Sequence, residues 1–454
     1  MKEDVYVLAS DSMEGRMSGS EGERRASEYL IRRFSEAGMK PMGTDGSWLQ
    51  SFPERERHEA AGSELVIAGK EYTLHRDFGL VGVSSSGEAS GEIADIGSGL
   101  FLPGYDVDDY AGKEVGGKIV LMDLYVPGKW IRNDSTRAPV GPAARMKMAF
   151  ARGASGVICH DPNSRWGLRL GDAGVSDTVA GPVIYVTRDI VKEIRQQSHP
   201  VAVMKTRFAV ETAHCHNVVG YIDHHAPYTI ILGAHYDHTG VGKHTDLIKN
   251  GADDNASGTA LITELGRYYA ARTDVASNFL IIALSGEEEG LHGSYYFADH
   301  PTVSLDSVNF MFNFDMVGRL GCRQNRVDAV CTGTSPAWNK ILRDAGERSF
   351  RIRRIPGAPE FSDHYPFYRQ GLPIAYLTTG MHYDYHSSRD DAEKINYTGM
   401  AEVARYARGI IAESLRAGKI PYKKVSRFTN FRSMLYYAGE QLDYVLTVGI
   451  REIE

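Results

Sequence analysis

Short apolar runs that alternate with helix-length segments constrain the second half of the chain most strongly. Three of these runs have the length of a strand, namely Tyr228–Ala234, Phe279–Leu284 and Val308–Phe314. Buried strands that alternate with helices form a mostly parallel sheet with helices on both faces. Such sheets present functional side chains at the edge where the strands end. The sequence therefore predicts an α/β fold with three layers, built on a mixed, mostly parallel sheet, and a site at that edge.

A segment with a different pattern of apolar residues precedes the alternating region. Between about residues 61 and 207, short β-like runs are separated by Gly and Asp, and Val140–Gly153 reads as a helix. Ahead of it, Gly22–Met39 has apolar residues at helical spacing. We predict one domain from residues 1–60 and 208–420, a smaller β-rich insertion at 61–207, and a C-terminal extension at 421–454 to which the sequence assigns no role.

Composition excludes several classes of protein. The formal net charge of −7 argues against nucleic acid and against an anionic membrane surface, because both select for clustered Lys and Arg. No apolar stretch approaches the ~20 residues that span a bilayer. The 4 cysteines are too few and too scattered for a disulfide framework or a thiolate zinc site. We expect reduced thiols, although Cys322 and Cys331 are spaced closely enough to close a hairpin disulfide.

The polar residues that follow the apolar runs can each be explained in two ways. His235 and Asp237 fit a solvated strand end, and they also fit a zinc ligand with a carboxylate that orients it. Asp253–Asn255 precede an apolar helix, where Asp and Asn serve as caps, yet one carboxylate there would also bridge two cations. Glu287–Glu289 fit an exposed loop, and they also fit a cation site that relieves their mutual repulsion. Singly, none of these motifs decides between the alternatives.

Jointly, the same residues favour a metal site. Asp315 ends a buried run, where an acid needs a partner. His386 lies in a segment rich in Tyr, His and Asp near the end of the alternating region. Nitrogen and oxygen donors without thiolates indicate zinc or a similar divalent metal, and a large ligand set with a shared carboxylate indicates two metals. Paired metals activate a water molecule and stabilise a developing oxyanion.

Six motifs occur in an order and spacing that resemble a known family. They are HYDHTG at His235, GADDNASG at Gly251, EEEGLHGS at Glu287, NFDMVG at Asn313, SDHYPF at Ser362 and YHSSRDD at Tyr385. These motifs, and the opening SDSMEGRMSGSEGERRASEYLIRRFSEAGMKP, resemble the co-catalytic di-zinc aminopeptidases (metallopeptidase family twenty-eight). The wider group also contains glutamate carboxypeptidase and glutaminyl cyclase. Within residues 61–207, DDYAGKEVGGKIVLMD and MAFARGASGVI resemble the protease-associated domain that is often inserted in these enzymes.

The resemblance implies a role for individual residues. It implies two Zn²⁺ ions, with Asp254 as the bridging carboxylate, and with these residues as the metal ligands: His235, Asp254, Glu288, Asp315 and His386. It further implies that Glu287 is the general base, that Asp237 supports the first histidine, and that Tyr385 stabilises the oxyanion. The bond between Asp254 and Asn255 is expected to be cis, as it often is in the family.

The resemblance also implies a function. We expect a zinc-dependent exopeptidase that hydrolyses the N-terminal peptide bond of peptides, through a metal-activated water and the general base Glu287. The alternatives are a carboxypeptidase or a glutaminyl cyclase of the same superfamily, and, from another class, a non-catalytic binding relative. The expected partners are peptides with a free N-terminus. Although Met1–Asp4 opens the sequence without an apolar run, we expect a secreted or periplasmic protein whose signal peptide is absent from this sequence.

Overall fold

The protein consists of two compact units. The computed structural model describes residues 1–131, 136, 139–162, 178–242, 247–322, 324–427, 429, 433, 434 and 436. The larger unit comprises Met1–Glu54 and Ala213–Glu454, and the smaller unit comprises Arg55–Thr212. Most of the predicted C-terminal extension at 421–454 lies outside the described residues.

The described helices and strands account for both units. The α-helices are α1 (Lys2–Leu8), α2 (Glu21–Glu36), α3 (Gly128–Ile131), α4 (Pro142–Ala151), α5 (Arg188–Arg195), α6 (Gly258–Ala270), α7 (His292–Asp299), α8 (Trp338–Asp344), α9 (His364–Arg369) and α10 (Tyr397–Ala417). The strands are β1 (Lys40–Pro41), β2 (Leu49–Glu59), β3 (Glu64–Ile67), β4 (Lys70–Tyr72), β5 (Phe78–Leu80), β6 (Gly87–Asp95), β7 (Phe101–Leu102), β8 (Val107–Asp108), β9 (Ile119–Asp123), β10 (Gly156–His160), β11 (Val183–Val186), β12 (Val201–Thr206), β13 (Phe208–Ile222), β14 (Thr229–His235), β15 (Asn278–Leu284), β16 (Val308–Phe314), β17 (Arg326–Val330), β18 (Arg351–Ile355) and β19 (Ile374–Thr378). In the part of the chain that the structure describes, no helix is long and apolar enough to cross a membrane.

The larger unit is built on a nine-stranded mixed sheet. Its strand order is β1-β13-β15-β14-β16-β19-β17-β18, with β2 paired to β13. The four central strands, β15, β14, β16 and β19, are parallel to one another, whereas β13 and β17 run antiparallel to their neighbours in that group. The prediction of a mixed sheet with a parallel centre is therefore confirmed.

Alternate residues of the central strands pack into two separate cores. Ile230 and Leu232 of β14 lie in a core with side chains of α1, α2, α6, α8 and α10. Ile231 of the same strand lies in the other core, with Phe297 of α7 and Phe367 of α9. Side chains of a strand alternate between the faces of its sheet. Helices therefore cover both faces, which explains why every residue of β14 to β16 is buried and why these strands read as continuous apolar runs.

The smaller unit has a sheet and cores of its own. Eight strands are arranged in the order β4-β3-β12-β6-β9-β10-β11-β5, and β7 pairs with β8. Met146 of α4 packs in the core on one side of this sheet, and Ile190 of α5 packs in the core on the other side. The helix predicted over Val140–Gly153 is confirmed as α4.

Two local expectations are also confirmed. All four cysteines are free, so Cys322 and Cys331 do not form the hairpin disulfide that the sequence left open. The peptide bond between Asp254 and Asn255 is cis, as the family resemblance implied.

Candidate metal centre

The carboxyl ends of the central parallel strands carry most of the predicted site. His235 is the last residue of β14, and Asp315 directly follows β16. Glu287 and Glu288 lie in the turn after β15, and His386 lies in the loop after β19. Because these four strands are neighbours and run in the same direction, their carboxyl ends meet at one edge of the sheet. The sheet topology thus brings together residues that are far apart in sequence.

The fifth predicted ligand, Asp254, is supplied by a π-helical turn that precedes α6. The carboxylate of Asp390 holds this turn, because its Oδ2 accepts hydrogen bonds from the main-chain N–H groups of Asp253 (2.8 Å) and Asp254 (3.1 Å). The side chain of Asn255 donates to the carbonyl of Phe314 at the end of β16 (3.0 Å). The turn that carries Asp254 is therefore fixed to the loops that carry the other ligands.

The five predicted ligands form two donor groups that share Asp254. In the first group, His235 Nε2 lies 3.3 Å from Asp315 Oδ1 and 3.4 Å from Asp254 Oδ1. In the second group, His386 Nε2 lies 2.9 Å from Glu288 Oε2 and 3.1 Å from Asp254 Oδ2. Each oxygen of the Asp254 carboxylate therefore faces a different group.

The geometry and chemistry of both groups fit zinc. Zinc–nitrogen and zinc–oxygen bonds of about 2.0–2.2 Å place neighbouring donors of a tetrahedral site roughly 3.3 Å apart, close to the separations above. The donors are imidazoles and carboxylates without thiolates, a set that suits zinc. Asp254 Oδ2 and His386 Nε2 are buried and, among the described residues, have no hydrogen-bond partner. A cation would satisfy both atoms.

The acids of the cluster attract positive charge strongly. Burial by itself would lower the pKa of His386, but the carboxylates of Glu288 and Asp254 outweigh burial and raise it to about 10. Burial would likewise raise the pKa of Glu288, but the charge on His386 and the hydrogen bond with His238 lower it to about 2. A divalent cation can replace the protons on such imidazoles and neutralise the carboxylates. The charge balance therefore also favours a bound cation.

Glu287 lies outside both donor groups and is half-buried. Its burial raises the pKa of its carboxyl group well above the ordinary value, and the charges of Asp315 and Glu288 act in the same direction against the opposing charge of His235. A carboxyl group with a raised pKa can both accept and return a proton near neutral pH. The environment of Glu287 is consistent with a general base.

Asp237 lies against both His235 and the turn that carries the glutamates. Its Oδ1 lies 3.6 Å from His235 Nδ1, whereas its main-chain carbonyl lies 3.2 Å from the same nitrogen and forms the hydrogen bond. Its Oδ2 accepts hydrogen bonds from the hydroxyl of Ser18 (3.2 Å) and from the main-chain N–H of Glu288 (3.3 Å). Asp237 thus contacts His235 through both its backbone and its carboxylate, and its carboxylate also contacts the glutamate turn.

Tyr385 lies against one of the predicted ligands. Its ring stacks on His386 with a centroid separation of 3.8 Å and an interplanar angle of 19°. Burial raises the pKa of the Tyr385 hydroxyl well above its usual value, and the carboxylates of Asp254 and Glu288 raise it further. The hydroxyl therefore stays protonated and can donate a hydrogen bond.

Two buried residues of the site were not predicted, Arg16 and His238. Arg16 donates hydrogen bonds to the main-chain carbonyls of Tyr236 (2.6 Å), Asn250 (2.7 Å) and Gly251 (3.0 Å), which flank two of the ligand segments. Main-chain acceptors leave no pattern in the sequence, so only the position of Arg16 in the opening motif hinted at a role. His238 lies in the HYDHTG motif, and its place directly after Asp237 was the available signal.

Part of the chain matches a known family, and most of it is similar to a known aminopeptidase. Residues 217–411, which contain all five predicted ligands, match peptidase family M28. Aminopeptidase YwaD of Bacillus subtilis (strain 168) is 24% identical over 428 residues, which cover 91% of this chain and 84% of that protein.

Two solved structures share the fold over nearly the whole chain. The aminopeptidase from Aneurinibacillus sp. strain AM-1 has a TM-score of 0.66 and 22% identity, covering 93% of this chain and 95% of that one. The zinc aminopeptidase BSAP from Bacillus subtilis has a TM-score of 0.57 and 21% identity, covering 94% of this chain and 96% of that one. Together with the match of residues 217–411 to peptidase family M28, these two structures show that the chain shares the fold of known aminopeptidases.

Proposed function

We propose that the protein is a zinc aminopeptidase that uses two Zn²⁺ ions to hydrolyse the N-terminal peptide bond of peptides. The observation that carries the proposal is the Asp254 carboxylate, whose two oxygens lie in different donor groups. The names of two similar proteins, aminopeptidase YwaD and the zinc aminopeptidase BSAP, support the same activity and the same metal.

The donor groups define which residues would hold each ion. His235 and Asp315 would bind one ion, Glu288 and His386 would bind the other, and Asp254 would bind both. When bound, zinc lowers the pKa of a water molecule and polarises the carbonyl group of the substrate. Strand ends, and the turns and loops next to them, carry the donor atoms.

Three side chains of the protein would act on the substrate or position the site during hydrolysis. Glu287 accepts a proton from the attacking water and later returns it to the amine that leaves. Tyr385 donates a hydrogen bond to the oxyanion that forms from the scissile carbonyl. Asp237 hydrogen-bonds to His235 and to the main chain of Glu288, and so keeps the turn that carries Glu287 and Glu288 next to His235. Each task suits the surroundings of the side chain described above.

The alternative functions differ from an aminopeptidase either in the residues of the site or in the substrate. A non-catalytic binding relative would have lost ligands or the base, and this chain has lost neither. A carboxypeptidase or a glutaminyl cyclase would use the same metal donors, so only the substrate distinguishes these activities from an aminopeptidase.

We further propose that the smaller unit, residues 55–212, is a protease-associated domain, because the motifs that resemble one contribute β9, the end of α4, and β10. A secreted or periplasmic location stays a prediction.

A panel of substrates tests the proposed function. We expect hydrolysis of aminoacyl anilides with a free α-amine, and no hydrolysis of the same anilides after N-acetylation. A zinc chelator should abolish the activity, and added zinc should restore it. Release of C-terminal residues from N-blocked peptides would instead identify a carboxypeptidase. Conversion of N-terminal glutamine to a cyclic product would identify a cyclase, and a zinc-loaded protein inactive on every substrate would favour the binding relative.

A further inference from the structure

His238 occupies a position at the metal centre that the five predicted ligands and the base leave unexplained. It follows Asp237 just beyond the end of β14, and its side chain is fully buried. Its Nδ1 lies 2.8 Å from Glu288 Oε1, which is a hydrogen-bond distance to a predicted ligand. A buried imidazole beside a ligating carboxylate is either a further ligand or a residue that positions the carboxylate.

The two oxygens of Glu288 face different histidines. Oε2 lies 2.9 Å from His386 Nε2, on the side that contains Asp254, whereas Oε1 lies 2.8 Å from His238 Nδ1. His386 Nε2 is also close to Asp254 Oδ2, at 3.1 Å, but His238 Nδ1 is 3.8 Å from that oxygen. A nitrogen of His238 lies within 4.8 Å of the possible donor atoms of Asp254, Glu288 and His386, but His238 Nδ1 is closer to Glu288 Oε1 than to Asp254 Oδ2. One oxygen is left for the cation and the other for a hydrogen bond.

Three contacts fix His238 in this orientation. Its main-chain N–H donates to the carbonyl of Arg16 (3.1 Å). Gly251, at φ +56°, lies so close to the ring that a Cβ at this position would be 2.6 Å from both Cγ and Cδ2 of His238. The ring also meets that of His386 edge-on, with centroids 5.5 Å apart and an interplanar angle of 75°. These contacts with the protein restrict the orientation of the imidazole.

We propose that His238 is a positioning residue for Glu288. Its Nδ1–H donates a hydrogen bond to Glu288 Oε1 and thereby turns Glu288 Oε2 toward the zinc ion that Asp254 and His386 would also bind. Together with Asp237, it makes the end of β14 support two different ligands, His235 and Glu288. Residues that hydrogen-bond to a metal ligand orient it, and their loss typically weakens metal binding by about 10–100-fold. The proposal rests on the proposed function in that it requires zinc at this centre.

The test compares His238→Ala with His238→Asn in the full chain. Zinc affinity is measured by competition with a chromophoric chelator. We expect the alanine variant to bind one of its two ions about 10–100-fold more weakly, with the other ion little changed. Asparagine retains an N–H donor of similar reach, so the second variant should recover much of the loss. If the alanine variant fails to fold, His238→Leu replaces it, because leucine fills the space without a donor.

A histidine outside the metal centre supplies the matched control. His160, in the smaller unit, is 2% exposed, and its Nε2 is paired with the carboxylate of Asp123. His160→Ala therefore removes the same kind of contact and should leave zinc affinity unchanged, whatever it does to thermal stability. A lower zinc affinity in His160→Ala would show that the assay reports general destabilisation, and the proposal would fall.

Three other results would contradict the positioning role of His238 or the proposed function, and each points to a different explanation. Wild-type zinc affinity in His238→Ala would overturn the positioning role. Complete loss of one ion from both the alanine and the asparagine variant would overturn it in favour of direct ligation by His238. The visible spectrum of the cobalt-substituted protein provides a second readout, because a ligand change alters the spectrum whereas a lost hydrogen bond mainly alters affinity. Absence of zinc from the wild-type protein would instead reject the proposed function.

Discussion

Glu287→Gln should retain its zinc and lose turnover by about 10²–10⁴-fold, the usual contribution of a general base. Glutamine preserves the size of the side chain but cannot accept a proton from water. Glu287 lies outside both donor groups, so the substitution removes no metal ligand. The measurement is kcat on a free-amine aminoacyl anilide, together with zinc content by atomic emission on the same sample.

The third glutamate of the triplet offers a control. Glu289 follows in the same turn and belongs to neither donor group, and its Oε2 accepts a hydrogen bond from the Ser18 hydroxyl (2.9 Å), a contact that a glutamine oxygen can keep. Glu289→Gln makes the same chemical change two positions away and should leave both zinc content and turnover close to those of the wild type. Undiminished turnover in Glu287→Gln would remove the base assignment, and loss of zinc from that variant would make Glu287 a ligand instead.

Asp254→Ala should lose both zinc ions, whereas Asp315→Ala should lose one. The reason is geometric, because the two oxygens of Asp254 face different groups and Asp315 belongs to the first group alone. Zinc content after dialysis, with native mass spectrometry to count the ions on each chain, distinguishes the two variants. Both variants should lose activity, since each lacks the paired site.

The comparison of these two variants tests the bridging role itself. Both substitutions remove a buried aspartate from the same cluster, so a general loss of stability affects them alike. Retention of one ion by Asp254→Ala, equal to that of Asp315→Ala, would show that Asp254 serves a single ion. Thermal unfolding of the zinc-free proteins checks that the two variants are folded to a similar extent.

Much of the larger unit could be predicted from sequence because its central strands are buried on both faces. Burial on both faces forces continuous apolar runs, and a polar residue at the end of such a run is conspicuous. The runs at Tyr228–Ala234 and Phe279–Leu284 match β14 and β15 to within one residue at either end. The strands β2 and β13 were not predicted, because they contain charged and polar residues such as Glu54 and His216 that break the apolar pattern.

The different roles of neighbouring acids could not be predicted from residue patterns. Asp253 and Asp254 are equivalent in sequence, and only the family resemblance separated them. In the structure, Asp253 Oδ1 accepts a hydrogen bond from the main-chain N–H of Gly318 (2.6 Å), while Asp254 faces the two donor groups. The two acids lie in a π-helical turn, which the pattern of apolar residues does not predict.

Buried supporting residues were the hardest part of the site to predict. Arg16 lies more than 200 positions from three of the carbonyl groups that it binds, and carbonyl acceptors leave no pattern in the sequence. His238 is visible in its motif, but whether its imidazole meets metal, carboxylate or solvent depends on the approach of Gly251 and Glu288. Such contacts arise from tertiary structure alone.

Zinc titration of the chelator-stripped protein tests the central claim most directly, because it measures the number of ions and the activity together. We expect two zinc ions to bind per chain, and hydrolysis of a free-amine aminoacyl anilide to return as they bind, with the N-acetylated anilide left intact. A chain that binds a single ion at saturation would contradict the shared role of Asp254. Hydrolysis that persists at full rate without zinc would contradict the metal centre altogether.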